Sequence, residues 1–274
     1  MKSLDQLNLR DKKVIIFDLD GTLIDSIGVW NMADLKLIKD YSGRVVPEEK
    51  VQSDRDDFLN HNTGSDIYIA YCEYLITKYG LSIKNPNELS DIRKDVANEV
   101  LKSEIGFKPD VARLILTLKR LGFIVALATV TTDAQLEIYY SENQRMLDEM
   151  NIKETFDLIT TKETVKHKKP DPEVYHTIMQ YFGVKPEECL IFEDSLTGVM
   201  AANNAGIEVV NIYDKYSDID RDKINALTDY NIPNFKHFID HCLSGLTQGT
   251  NDCKPYLKSI GKKPAKPVSA DNNE

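Results

Sequence analysis

The chain has 274 residues, and 34 Lys and Arg against 44 Asp and Glu give a formal net charge of −10 at pH 7. Apolar residues make up 42% of the sequence and charged residues 28%, a composition that excludes wholesale disorder. The acidic balance argues against a nucleic-acid partner, which requires a basic surface. At about 150 residues per domain, the length allows one large domain or two modest ones.

Neither membrane insertion nor export is predicted. Apolar runs such as Phe123–Ala128 are far shorter than the roughly 20 residues that span a bilayer, and the N-terminus leads into no apolar signal core. The cysteines at 72, 189, 242 and 253 form no Cys-x-x-Cys pair. We therefore expect a cytoplasmic protein with reduced thiols and no membrane partner.

Short apolar runs alternate with helical stretches along most of the chain. Helical periodicity ends at Gly122, Gly183 and Gly206, and glycine is a common residue just past a helix C-terminus. Runs that are apolar on both faces are typical of parallel strands covered by helices on both sides. The pattern predicts an α/β fold with a doubly wound parallel sheet, whose predicted strands are Val14–Phe17, Phe123–Ala128, Leu158–Thr160, Leu190–Phe192 and Ile207–Ile212.

Residues 26–105 interrupt this alternation, because they carry helical periodicity but no buried strand. We predict that they form an inserted helical domain and that residues 1–25 and 106–244 form the α/β core. The segment 245–274 is polar and rich in lysine and proline, which predicts a disordered tail.

Acidic and hydroxyl side chains follow three of the predicted strands. Asp18 follows the first strand, Thr129 the second, and Glu193 and Asp194 the fourth. In open α/β sheets, ligands bind beyond the carboxyl ends of the strands, so these side chains should converge at one edge. With Asp20, four carboxylates would meet there and repel one another unless a divalent cation lay between them.

These residues resemble the four motifs of the haloacid dehalogenase superfamily. Phe17–Ser26 resembles the first motif, Thr129 the second, Lys169–Pro172 the third and Phe192–Ser195 the fourth. The resemblance covers roughly residues 12–240 and implies a Rossmann-like α/β core. The helical insertion resembles the cap domain of the phosphoglycolate phosphatase and β-phosphoglucomutase branch.

The resemblance implies a phosphatase acting on a small phosphorylated metabolite. Asp18 would attack phosphorus to give an aspartyl-phosphate, and Asp20 would act as general acid and base. Dehalogenating members lack an acid at this second position, so Asp20 favours phosphate chemistry. Lys169 and the hydroxyl of Thr129 would bind the phosphoryl oxygens.

The resemblance also implies Mg²⁺. Asp18, the backbone carbonyl of Asp20 and Asp194 would hold the ion, with Glu193 bound through water, since hard oxygen ligands suit Mg²⁺. Because the motifs supply a complete site within one chain, we expect a monomer.

Three alternatives remain open. The third motif usually has Gly before its Lys, whereas His167 and Lys168 precede Lys169 here; we prefer Lys169 because it directly precedes Pro170. A β-phosphoglucomutase-like mutase would use the same nucleophile, but such mutases carry His at the position of Trp30. A phospho-accepting regulator is also possible, although receiver domains are about half this length.

Overall fold

In the computed structural model of the protein, residues 2–62 and 66–244 are described, so the predicted tail at 245–274 lies outside the described residues. The described residues form two compact units. One unit combines the residues before 26 with those from 106 onwards, and the other consists of residues 26–105. No helix in these described ranges is long and apolar enough to cross a membrane.

The first unit contains a six-stranded sheet, which confirms the predicted α/β class. Its strands pair in parallel in the order β3-β2-β1-β4-β5-β6, so the connection from β3 to β4 crosses over two strands. The strand bounds are β1 Val14–Phe17, β2 Ile124–Ala128, β3 Leu158–Thr160, β4 Cys189–Glu193, β5 Glu208–Ile212 and β6 Tyr230–Ile232.

Helices fill the intervals between the strands. The helical unit contains α1 Val29–Ser42, α2 Glu48–His61, α3 Ile67–Tyr79 and α4 Pro86–Ser103. The sheet unit contains α5 Val111–Arg120, α6 Asp133–Ser141, α7 Gln144–Glu149, α8 Ile152–Thr155, α9 Glu173–Phe182, α10 Leu196–Asn204, α11 Arg221–Leu227 and α12 Phe235–Phe238.

Side chains on both faces of the central strands are buried. Val14 and Ile16 of β1 point into a cluster that includes apolar side chains of α9, α10 and α11. On the opposite face, Phe17 stacks on Phe192 of β4 with ring centroids 4.8 Å apart, and Phe192 in turn contacts Phe238 of α12. This two-sided burial explains why the strands read as continuous apolar runs.

Two polar clusters lie in the interior of the helical unit. Arg93 donates two hydrogen bonds to the buried Asp34, at 2.6 and 3.1 Å, and Tyr71 donates a third at 3.0 Å. Asp54 accepts hydrogen bonds from two lysines and from Tyr79. Although burial opposes its ionisation, these donors lower the pKa of Asp54 to about 2. These ion pairs and hydrogen bonds offset the free-energy cost of burying the charges.

The structure also contains elements that the sequence pattern did not predict. The sixth strand, β6, and the second helix, α2, were missed, and two successive helices, α6 and α7, follow Thr132. Asn143 separates these two helices, and its side chain accepts a hydrogen bond from the backbone N–H of Met146 at the start of α7. Asparagine favours this N-cap position, so Asn143 marks the start of a separate helix.

Candidate active site

The candidate site lies at the carboxyl ends of β1, β2 and β4, the three central strands next to one another in the sheet. Asp18 directly follows β1, and its backbone N–H donates to the carbonyl of Phe192 on β4 at 3.0 Å. The sheet ladder therefore continues one residue past β1 and fixes the backbone at Asp18. Thr129 follows β2, and Glu193 is the last residue of β4.

Lys169 joins the carboxylates of two strands. Its Nζ lies 2.7 Å from Oδ1 of Asp18, 2.5 Å from Oε1 of Glu193 and 2.9 Å from the carbonyl oxygen of Ala128. The Lys169 side chain is only 5% exposed, whereas Lys168 is exposed. The structure thus brings Lys169, and not Lys168, to the residues of the first and fourth motifs.

The carboxylate of Glu193 is enclosed by donors. Oε1 accepts from Lys169 and from the hydroxyl of Tyr175 at 3.1 Å. Oε2 accepts from the backbone N–H groups of Asp194 and Ser195 and from the Ser195 hydroxyl, at 3.2 to 3.4 Å. Gly198 of α10 makes room for this carboxylate, since a Cβ there would stand 1.9 Å from its atoms.

Asp194 is almost fully buried beside the first motif. Its Oδ1 accepts from the Thr22 hydroxyl at 2.7 Å, and its Oδ2 accepts from the Ser217 hydroxyl at 3.2 Å. A Cβ at Gly21 would stand 2.5 Å from this carboxylate, and Gly21 has φ +81°. Only glycine satisfies both the left-handed backbone and the close approach, which explains the glycine of the first motif.

Asp20 lies among hydroxyl groups. Its Oδ2 accepts from the hydroxyl of Thr131 and, at 3.5 Å, from that of Thr129. The Thr129 hydroxyl also accepts from the backbone N–H of Thr131 at 3.0 Å. The loop after β2 therefore holds Asp20, whereas Lys169 holds Asp18, so these two aspartates of the first motif have different partners.

The close carboxylates change the ionisation of the site. Burial and the charge of Glu193 raise the pKa of Asp18 well above its usual range, and the same two causes raise the pKa of Asp194 to about 7. Burial disfavours the charged form of Lys169, but Asp18 and Glu193 outweigh it and raise its pKa well above the usual value. The site therefore has more negative charge than Lys169 compensates.

This arrangement fits a divalent cation. Asp18, Glu193 and Asp194 each offer a carboxylate oxygen, and these oxygens lie within 4.8 Å of one another. Carboxylates are the hard ligands that Mg²⁺ prefers, and a cation would relieve the repulsion that raises the two aspartate pKa values.

Several neighbours of the site were missed by the sequence analysis. Lys108, in the segment that begins the second part of the core, contacts the carbonyl of Gly21 and lies 2.7 Å from the Asp214 carboxylate. Thr131 and Tyr175 belong to the same surroundings. Thr131 and Tyr175 lie two and six residues after the predicted residues Thr129 and Lys169, so inspection of the flanking residues could have found them.

Several polar and aromatic side chains of the helical unit have partners within that unit. Trp30 is 37% exposed and covers the guanidinium of Arg93, whose carbon lies 4.4 Å from its ring centroid. Lys78 is bound to Asp54, and the Nδ1–H of His61 donates to the backbone carbonyl of Asp57 in its own helix.

Comparison with known proteins identifies the family. A sequence profile described as haloacid dehalogenase-like hydrolase matches residues 15–212, which is well over half of the chain. The chain belongs to the haloacid dehalogenase-like hydrolase family. The matched range includes all four motifs, so the predicted family and the predicted hydrolase class are confirmed.

Two sequence relatives and a solved structure agree with this family. A phosphorylated carbohydrates phosphatase of Thermotoga maritima is 30% identical over 197 residues, covering 72% of this chain and 82% of the relative. A phosphoglycolate phosphatase of Colwellia psychrerythraea is 28% identical over 213 residues, covering 75% and 86%. A family hydrolase from Deinococcus radiodurans, crystallised with phosphate and sodium, superposes with a TM-score of 0.66 at 18% identity, covering 86% and 97%. The last comparison supports the fold.

Proposed function

We propose that the protein is a Mg²⁺-dependent phosphatase that hydrolyses a small phosphomonoester through an aspartyl-phosphate. The observation that carries this proposal is the pairing of a buried carboxylate, Asp18, with the ammonium of Lys169 at 2.7 Å, next to a second acid, Asp20. Phosphatase relatives that cover most of the chain support the same reaction class.

In the proposed reaction, an oxygen of Asp18 attacks phosphorus and the bond from phosphorus to the leaving oxygen breaks. Asp20 gives its proton to that leaving oxygen, so the alcohol departs neutral. Asp20, now ionised, removes a proton from water as the water attacks the aspartyl-phosphate. The second step breaks the bond between phosphorus and Asp18 and releases inorganic phosphate.

Positive charge and donors stabilise the phosphoryl oxygens in both steps. Lys169 lies against the nucleophile, where negative charge builds up on the equatorial oxygens in the transition state. Thr129 is the neighbouring hydroxyl and donates weakly to Asp20 in this structure. We propose that it turns to a phosphoryl oxygen when substrate is bound, while Thr131 retains the Asp20 carboxylate.

Asp18, the backbone carbonyl of Asp20 and Asp194 would hold the magnesium ion. The ion would offset the negative charge of substrate and carboxylates in this buried site. Glu193 takes part through water in this proposal, because its own oxygens already accept from Lys169, Tyr175 and the turn that follows it.

We further propose that the helical unit of residues 26–105 acts as the cap that selects the substrate. We place the enzyme in the cytoplasm as a monomer. The free thiols of Cys72, Cys189 and Cys242 agree with a reducing compartment, and the catalytic groups all come from one chain.

The test is phosphate release from a panel of phosphomonoesters, with Mg²⁺ and with EDTA. We expect metal-dependent turnover in the wild type and in Asp148→Asn, an exposed control with the same change in charge. Asp18→Asn should lose turnover, because an amide is not a competent nucleophile. Wild-type rates in Asp18→Asn would overturn the mechanism. Formation of glucose 6-phosphate from β-glucose 1-phosphate and a bisphosphate primer, without net phosphate release, would indicate the mutase instead.

A further inference from the structure

Tyr175 is a buried hydroxyl group in the candidate site that the proposed mechanism does not use. It lies on α9 in the sheet unit and is 0% exposed. Its hydroxyl lies 3.1 Å from Oε1 of Glu193, and its ring centroid lies 5.4 Å from Nζ of Lys169. The side chain thus contacts both members of the Lys169–Glu193 ion pair, and within the described residues it makes no hydrogen bond to Asp18 or Asp20.

The two contacts of Tyr175 constrain the position of Lys169. An ionised carboxylate has no proton to donate, so the hydroxyl donates to Glu193. Oε1 of Glu193 therefore accepts hydrogen bonds from both the Tyr175 hydroxyl and the Lys169 ammonium. The ring centroid of Tyr175 also lies within the distance at which an aromatic ring attracts a cation.

The rest of the Glu193 carboxylate is fixed independently. Oε2 is bound at the start of α10 by the backbone and the hydroxyl of Ser195, and Gly198 leaves the space that the carboxylate fills. The Glu193 side chain can therefore rotate little. Because the Tyr175 hydroxyl donates to the same oxygen as Lys169, it weakens the attraction between Oε1 and the Lys169 ammonium. Without that hydroxyl, Lys169 would bind Glu193 more closely and Asp18 less closely.

We propose that Tyr175 is a positioning residue: by donating to Glu193 it keeps the Lys169 ammonium shared between Glu193 and the nucleophile Asp18. This inference rests on the proposed function of Lys169 in phosphoryl transfer. In it, Tyr175 affects turnover only indirectly, through Glu193 and Lys169. A structural role alone would affect stability but not the position of Lys169.

The variant Tyr175→Phe tests the inference, because it keeps the ring and removes the hydroxyl. The control is Tyr230→Phe. Tyr230 is 1% exposed, and its hydroxyl lies 3.3 Å from the carboxylate of Glu208, but it begins β6, away from the carboxyl ends of the strands. Both variants lose one tyrosine–glutamate hydrogen bond, and only one of these bonds adjoins Lys169.

In phosphate-release kinetics with Mg²⁺, we expect Tyr175→Phe to lower kcat about 3- to 10-fold, the range that one hydrogen bond supports. The substrate KM should change less than twofold, because the misplaced ammonium affects the transition state more than the bound substrate. Tyr230→Phe should keep wild-type kcat and KM. A kcat for Tyr175→Phe equal to that of the wild type, or an equal loss in both variants, would overturn the inference.

A second measurement does not depend on turnover. A buried, hydrogen-bonded lysine gives a protected ammonium signal in ¹⁵N-detected NMR spectra, and Lys169→Arg identifies the signal. We expect Tyr175→Phe to shift this signal and Tyr230→Phe to leave it in place. If the wild type hydrolysed no phosphomonoester, the proposed function would fail while the spectra still decided whether Tyr175 controls Lys169. An unchanged Lys169 signal in Tyr175→Phe would refute the inference in either case.

Discussion

We expect Asp194→Asn to stabilise the metal-free protein at alkaline pH. Burial and the charge of Glu193 raise the pKa of Asp194 from 3.8 to about 7. Between these two values the carboxyl is ionised in the unfolded chain but resists ionisation in the folded protein. The folded state therefore loses stability as the pH rises from about 4 to about 7, and the whole loss is present above pH 7.

The size of the effect follows from the pKa difference. A rise from 3.8 to about 7 corresponds to an upper limit of about 4 kcal/mol in the free energy of unfolding. Asparagine has nearly the same shape, and its oxygen can still accept from the Thr22 hydroxyl while its amide donates to Ser217. After an allowance for one weakened hydrogen bond, we expect a gain of about 2–3 kcal/mol at pH 8.

Urea unfolding in EDTA at pH 5 and pH 8 measures this gain. The exposed variant Asp148→Asn, which makes the same change in net charge, should match the wild type at both pH values. Added Mg²⁺ should stabilise the wild type more than Asp194→Asn, because only the wild type keeps all the carboxylates of the proposed metal site. If Asp194→Asn were no more stable than the wild type at pH 8 in EDTA, the assumed repulsion among the carboxylates would be refuted.

Three further changes probe other contacts. Lys169→Met should lower kcat/KM about 10²–10³-fold in phosphate-release assays, because it removes one donor to the transition state. The exposed variant Lys168→Met should leave kcat/KM unchanged, and equal losses in the two variants would contradict the choice of Lys169 as the phosphate-binding lysine. Arg93→Met should lower the free energy of unfolding in urea by about 3–5 kcal/mol, because it leaves Asp34 charged and buried. Adding Asp34→Leu should recover most of this loss, and no recovery would argue against the ion pair as its cause. Asp54 has a pKa of about 2 in the folded protein, so between pH 4 and pH 2 it is ionised more in the folded than in the unfolded chain, and acidification over this range should lower the free energy of unfolding by about 2 kcal/mol. Thermal unfolding should show a smaller acid-induced loss of stability in Asp54→Asn than in the wild type. The same loss in both proteins would refute this contribution of Asp54.

The fold was predictable where the chain is buried on both faces. Continuous apolar runs such as Val14–Phe17 indicate the four central strands directly, and the edge strand Leu158–Thr160 was found from a shorter run. The sixth, Tyr230–Ile232, is a short strand at the edge of the sheet with Asn231 in its middle, so it has no apolar run. The helix Glu48–His61 was missed for a similar reason, because its sequence is dominated by charged residues.

The candidate site was predictable where a strand end or a motif marks the residue. Asp18, Thr129 and Glu193 each follow or end a strand, and Lys169 is marked by the proline after it. Tyr175 could not be found in this way. It lies at an apolar position of α9 and becomes a hydrogen-bond donor to Glu193 only through the packing of that helix on the sheet.

The position of β1 at the middle of the sheet has a consequence for the dynamics of the site. Local opening of a protein begins at frayed ends and edge strands and reaches the central strands last. Because the backbone N–H of Asp18 is bonded to Phe192 between two fully buried strands, its exchange with solvent requires opening close to the global unfolding free energy. We therefore expect Asp18, the proposed nucleophile, to lie in the part of the protein that exchanges most slowly, and we expect any motion during turnover to occur in the surrounding loops and helices.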